Sequence, residues 1–441
     1  MRPFRPRLAV PILALALGPG IISASAGDEP RPPRPVAAWA AGPLDVTLSF
    51  QKPVEPSAVF PQGIKTIAYQ GGDPPSPLGV LRCAGVRPSD GGRVLTLATD
   101  PHPVAARYAI EGSGIAYDLG GVEIAWFAGD DPGDEPEWRG WLPTLDPPAS
   151  QKATLGSAPH ERWFADMAKT GRLRLETQAR LPRGTNRLTI ESSAAIVECF
   201  SGEGEPENGV EKTGSGGSRA VFAVVDPSAP FFVSLTIQTG GSKELPSVRA
   251  SFSSEETGGT KELTREQLLL PWAVLPPPPA EIAGEPIPDL SGGDPARGEA
   301  VFFSDEALCS RCHVFEGKGG TVGPDLSNIR EKSPENLYRS IASPSEEIAP
   351  EYVSYTVSLK DGRVVAGVAR AEGLDALRVT DSDAKETQIP RAEIDEIRPA
   401  STSIMPAGLL PVLGDAKVRD LIAFLRRGAD KTPGKEAKSA P

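Results

Sequence analysis

The sequence predicts two all-β sandwich-like domains followed by a mainly α domain that contains a small β insert. Three observations predict this class. Before residue 271, apolar and polar residues alternate with period two in many short runs; residues 271–293 are rich in proline and end in glycines; beyond them the apolar period becomes helical. A chain of 441 residues has room for several such units.

The elements follow in chain order. Arg2, Arg5 and Arg7 precede the apolar run LAVPILALALGPGII, and Ala24-Ser25-Ala26 offers small residues for cleavage, so residues 1–26 read as an export signal peptide. Pro11 and Gly18-Pro19-Gly20 interrupt that run, and no later stretch of about 18 apolar residues exists, so the mature chain is expected to lack a transmembrane segment. No cysteine stands at the cleavage point to carry a lipid anchor. Residues 38–128 read as the first sandwich: Leu44, Val46, Leu48 and Phe50 interleave with Asp45, Thr47 and Ser49, and IKTIAY, GVLRCAGV, RVLTLAT, RYAI and GVEIAWF follow between turns. After the acidic loop 129–137, residues 138–270 read as the second, with strands GRLRLETQARL, NRLTIESS, AVFAVV, FFVSLTIQT and VRASFSS. Between them, HERWFADMAK places Trp163, Phe164 and Met167 at helical spacing, as core residues.

Residues 271–293 read as a semi-rigid Pro-rich linker. In residues 294–428, Asp294 and Ser333 each precede a proline at the first turn of a helix, and GDAKVRDLIAFLRRG puts Val418, Leu421, Ile422 and Leu425 on one face. Between the second and third helices, residues 352–398 alternate like a sheet around a Lys-Asp-Gly-Arg turn and form the β insert. The tail, residues 429–441, has a disordered composition.

The formal charge of −12 argues against nucleic acid or an anionic membrane surface as partner and serves mainly solubility. The chemistry concentrates in CSRCHVFEGKGGTVGPDL, residues 309–326. With four cysteines and three histidines in the whole chain, Cys309-x-x-Cys312-His313 is a rare chance arrangement. It is the spacing of covalent c-type haem attachment: two thiols join the haem vinyl groups and the adjacent imidazole binds iron. A structural zinc site needs further ligands, and no Cys or His follows His313. A dithiol redox motif belongs in a βαβ context, which this sequence lacks. Export fits the haem reading, placing the protein in the periplasm or outside the cell.

With those residues in view, residues 294–428 resemble the C-terminal haem-binding domain of large secreted bacterial proteins, a branch of the class I-like cytochrome c fold. RGEAVFF, CSRCHVFEGKGGTVGPDLSNI, IASPSEEIAPEY, DGRVVAGV, SIMPAGLL and VRDLIAFL carry the likeness, and the two upstream units resemble immunoglobulin-like secreted modules more loosely. The resemblance implies one haem c, with His313 bound to iron, the Pro324 carbonyl accepting the other imidazole N–H, and Leu326 over the haem edge. It also implies that Gly298 and Phe302 on the first helix meet Phe424 on the last. In SIMPAGLL, Met405 resembles the family's methionine loop and is the implied second axial ligand; Met167, His102 and His160 are the other candidates in the mature chain.

Electron transfer from a dehydrogenase to a respiratory acceptor is the function implied. The alternatives are a secreted haem enzyme, a peroxidase or dehydrogenase subunit, and a carbohydrate- or protein-binding module with Trp126, Trp138 and Trp141 as a stacking platform. No second Cys-x-x-Cys-His, catalytic triad or Gly-rich cofactor loop is visible for an enzyme. Cys83 and Cys199 are available for a disulfide in an oxidising compartment, or as buried free thiols. Asp130, Asp131, Asp134 and Glu135 lack EF-hand spacing and read as a solvated loop.

Overall fold

A seven-stranded antiparallel sheet opens the fold, in the order Ala37–Gly42, Asp45–Ser49, Val94–Thr99, Ser76–Ser89, Thr66–Gly71, Arg107–Ile110 and Ile115–Asp118. The 14-residue strand Ser76–Ser89 spans both halves of the sheet. Its first part pairs with Thr66–Gly71 and its second with Val94–Thr99, across an irregularity at Cys83/Gly85. A strand that changes partner at a bulge turns a corner, so one sheet wraps over one core. Val46, Leu48, Ile67, Leu95 and Leu97 fill that core, with Tyr69, Tyr108 and Tyr117 stacked beside them. This is a computed structural model, and it describes residues 32–427 except 72–75, 103, 130–132, 134, 215, 241–243, 255–258, 275–286 and 347. The signal peptide, most of the linker and the C-terminal tail therefore lie outside the described residues.

Two facing sheets make the second β unit. One contains Ile196–Ser201, Phe231–Thr239, Gly171–Ala179, Val122–Ala128 and Trp138–Leu142, with Leu268–Leu269 paired to Gly171–Ala179; the other runs Val210–Lys212, Ser218–Ala223, Thr185–Ser192, Val248–Ser254 and Thr260–Glu262. Leu173, Leu175, Leu235 and Ile237 of the first face Leu188, Ile190, Phe222 and Phe252 of the second in one core. GVEIAWF is reassigned here: Val122–Ala128 pairs with Gly171–Ala179, from Glu123 opposite Glu176 to Ala128 opposite Gly171. Its buried face, Val122, Ile124 and Trp126, belongs to the sandwich core, so the boundary falls before it.

The C-terminal region corrects the expected fold class: it is not mainly α. Its helices are short, Pro295–Phe302, Cys309–Cys312 and Pro334–Ala342, apart from Leu409–Leu425, which Gly414 interrupts with non-helical backbone. Between them stands a five-stranded antiparallel sheet in the order Glu386–Pro390, Ala376–Thr380, Val364–Glu372, Ser354–Leu359 and Ile394–Pro399. Tyr355, Val357, Leu359, Ala369, Leu377, Val379 and Ile389 give this sheet a core of its own, so it is more than an insert. The described chain as a whole is mainly antiparallel β.

This sheet docks on the first one. Asp100, whose side chain is only 2% exposed, binds Arg82 at 3.2 Å and Arg370 at 3.7 Å and accepts from the Ala371 amide at 2.7 Å. Arg391 donates to the Leu44 carbonyl at 3.0 Å, the Asp45 carboxylate at 2.9 Å and the Thr99 carbonyl at 3.1 Å. The carboxylate and the carbonyls thus find donors across the interface, as burial requires. The expected linker is anchored at both described ends: Leu270 and Ala273 enter the first core, and Leu290 packs on the last.

Two buried histidines make acid sensitivity predictable. Burial lowers the pKa of both His102 and His160 to about 4. Both are neutral in the fold and charge more readily when unfolded, so their contribution is fully present above pH 6.5 and is lost as pH falls towards 4, about 3 kcal/mol each. Asp45 and Glu123, whose pKa values burial raises, offset part of this. Urea midpoints should therefore fall between pH 6.5 and 4; a flat profile over that interval would show that these imidazoles are not held neutral.

Candidate functional site

The Cys-x-x-Cys-His segment folds as a single helical turn, Cys309–Cys312, entered through Leu308 in the left-handed region at φ 56°. Glu316 is also left-handed, at φ 49°, so two of the four non-glycine residues of this kind among those described flank the motif. Each costs of order 1 kcal/mol, and such conformations cluster at functional sites. The His313 amide donates to the Cys309 carbonyl at 3.0 Å, and the chain then reverses through a hairpin pairing Val314 with Gly319 and Phe315 with Lys318.

His313 Nδ1 lies 2.9 Å from the Pro324 carbonyl oxygen. A carbonyl only accepts, so Nδ1 carries the proton and Nε2 keeps its lone pair. Burial holds the imidazole pKa below its usual value, with the Pro324 bond acting in the opposite direction. Three glycines make the cradle possible. A Cβ at Gly319 or Gly320 would strike the His313 or Arg311 carbonyl, and one at Gly323 would sit 2.7 Å from His313 Cε1.

All four cysteines are free thiols. Burial pushes the Cys309 thiol up to about 11 and raises that of Cys312 as well. Dithiol oxidoreductases need the opposite, a lowered pKa that supplies thiolate. Cys83 and Cys199 do not pair: they lie in separate sheets and separate cores. Among the described residues, no group of three or more His, Cys, Asp or Glu side chains is arranged to hold a metal ion.

An apolar cluster backs the motif. Phe302, Phe315, Leu337, Leu413, Leu421 and Phe424 form its buried part, and Cys309, Leu326 and Met405 pack against it. Gly298 lets the first and last helices of this region cross, with Phe302 and Phe424 ring centres 5.6 Å apart. Met405 stands in the loop before the last helix; its amide donates to Ser403 Oγ at 3.2 Å, and the Ser403 amide donates to Ser345 Oγ at 3.0 Å. The structure therefore links Cys309, Cys312, His313 and Pro324 through one loop, and places Leu326 and Met405 on the cluster that Cys309 touches.

The remaining candidates lie elsewhere. His102 Nε2 is 2.7 Å from the Tyr117 hydroxyl, and His160 lies 2.7 Å from Ser157 Oγ and 2.9 Å from the Trp141 carbonyl, both inside β cores. Met167 is fully buried in the sandwich. Trp126 and Trp141 are 5% exposed, and Trp138 stacks on Trp126 and Trp163 while donating to Asp166 at 2.9 Å, so the three tryptophans are core and not the alternative stacking platform. Of the acidic loop, Asp130, Asp131 and Asp134 lie outside the described residues, and Glu135 is exposed.

From sequence, Arg426 and Arg427 read only as basic residues at the negative end of the last helix's dipole. The Arg427 guanidinium stacks over Phe315 at 4.9 Å and Phe424 at 4.7 Å, and it pairs with Glu299 and Glu316, tying the motif loop to the first and last helices. A basic residue at a helix C-terminus does not by itself point to the motif loop.

No family model matches the chain. No curated protein matches it. Among solved structures, an anti-sigma factor domain-containing protein is 10% identical with a TM-score of 0.25, covering 54% of this chain and 91% of its own. The Epithelial Adhesin 6 A domain from Candida glabrata, in complex with Galb1-3GlcNAc, is 8% identical with a TM-score of 0.18, covering 52% of this chain and 93% of its own. Likenesses this low carry no argument about fold or function.

Proposed function

We propose that this protein is an exported c-type cytochrome with one covalently attached haem, passing electrons from a dehydrogenase to a respiratory acceptor. The observation that carries the reading is the donor set on one turn: two free thiols at Cys309 and Cys312, followed by an imidazole whose Nδ1 is committed to Pro324. Each thiol would add across a vinyl double bond, sulfur to one carbon and hydrogen to the other. His313 would offer Nε2 to iron, made more basic by the bond to Pro324. Met405 would supply a thioether ligand, and Leu326 an apolar wall. Haem held this way supplies reversible one-electron chemistry between ferric and ferrous iron.

With both His313 and Met405 holding the haem, no position would remain open for a substrate, which favours electron transfer over peroxidase chemistry. The signal-like residues 1–26 support a periplasmic or secreted location. Among the described residues, no helix is long and apolar enough to cross a membrane. Spectroelectrochemical titration of the purified protein should give one reversible one-electron transition, with peroxide turned over no faster than by a six-coordinate control haem protein. Fast peroxide turnover by the unaltered protein would replace electron transfer with an enzymatic role.

A further inference from the structure

A cavity of about 370 Å³ lies at the seam between the two edge strands of the first sheet, Ala37–Gly42 and Ile115–Asp118. That volume lies within the range of small-molecule sites. Its wall is apolar where the edges face each other, with Val36, Ala37 and Ile115, and is continued by Pro143. Its charged residues are both arginines, Arg34 and Arg265, and no carboxylate lines it. In a chain with 58 acidic and 46 basic residues, this is a local reversal of sign.

Neither arginine is spent on an ion pair among the described residues, whereas most arginines of the two docked sheets are paired. Each is instead held by a neutral partner. Arg34 Nη1 donates to the Gly114 carbonyl at 2.6 Å, and the turn needs glycine there: φ is +66°, and a Cβ would lie 3.3 Å from both terminal nitrogens of Arg34. Arg265 lies over the Trp141 ring at 6.0 Å, and that ring is also stacked on Trp39. The guanidinium groups are thus positioned without being neutralised. A guanidinium fork recognises carboxylates through paired N–H donors.

We infer that this seam is a binding site for a small organic carboxylate, its anionic head held by Arg34 and Arg265 and its apolar body along the strand edges. Nothing in this assignment depends on what the C-terminal region carries.

The test uses the full-length protein and hexanoate as probe, followed by isothermal titration calorimetry, with hexanol as the uncharged analogue. Hexanoate should bind saturably at one site, and hexanol at least tenfold more weakly. Arg34→Gln combined with Arg265→Gln should weaken hexanoate at least tenfold while leaving the thermal midpoint unchanged, because both side chains are exposed. Arg265→Lys, which keeps the charge but not the fork, should fall between. Non-saturable uptake, or equal affinity in the double variant, overturns the site. Competition by inorganic phosphate as strong as that by hexanoate overturns its assignment to carboxylates with an apolar body.

Discussion

Gly298→Ala is expected to lower the unfolding free energy by about 3 kcal/mol or more. The helix Pro295–Phe302 crosses Leu409–Leu425 at this residue, which is buried. A Cβ there would run into the Asp420 carbonyl and lie 2.7 Å from Phe424 Cβ. The first obstacle is backbone, so no rotamer change relieves it. The helices cannot simply separate either. Arg297 holds Asp420 by two bonds of 2.7 and 2.9 Å, the Asp294 amide donates to the same carboxylate at 2.7 Å, and Phe302, Phe315 and Phe424 interlock below. Gly202→Ala is the matched control, since its Cβ would meet only Phe232 Cβ, at 3.7 Å, and should stay within about 0.5 kcal/mol. Urea unfolding of the two variants measures the difference, and equal midpoints would refute the crossing.

Met405→Ala is expected to keep covalent haem, to shift the ferric spectrum towards high spin and to lower the midpoint potential. A thioether is a soft, neutral ligand that favours the ferrous state, so its loss should cost on the order of 0.1 V or more of the roughly 0.8 V range that axial ligands control. Opening that face should also confer weak peroxidase activity. The comparison is Met167→Ala, which empties a fully buried position in the sandwich and should cost about 2–5 kcal/mol of stability with no change in the haem spectrum. A Met405→Ala protein with wild-type spectra and potential would take the methionine out of the ligand set.

How legible the site was depends on the kind of signal each residue gives. Asp294 and Ser333 accept from helix amides as caps do, so local pattern was enough for those helix starts, while Cys309, Cys312 and His313 were legible as a spacing whose haem chemistry is proposed. The crossing of Gly298 with Phe424 came from the family resemblance and appears in the structure. Leu308 and Glu316 were not legible, and Arg427 was legible only as a charge at a helix end. Arg427 acts through partners 111 and 128 residues away, and the two left-handed residues have side chains that do not advertise that backbone.

The fold-class error has a physical source as well. Alternation over residues 352–398 was read correctly as strand, but period alone does not say how much a sheet will bury. The structure answers with Asp100 and Arg391, single polar residues on either side of a long sequence gap, which dock that sheet on the first β unit and make it a layer of the fold. The same limit misplaced Val122–Ala128, whose strand character was clear while its partner, Gly171–Ala179, was not. The three tryptophans left two readings open, because aromatic rings near a polar loop serve a core or a surface equally well, and here they stack among themselves.

Intact mass under denaturing conditions tests the proposed covalent haem at residues 309–313 most directly. The 441-residue chain, exported by cells equipped to attach haem c, should have the mass of residues 27–441 plus one haem, and the Cys309→Ala, Cys312→Ala double variant the mass of the polypeptide alone. Unaltered protein at the bare polypeptide mass, with both thiols open to alkylation, would contradict it.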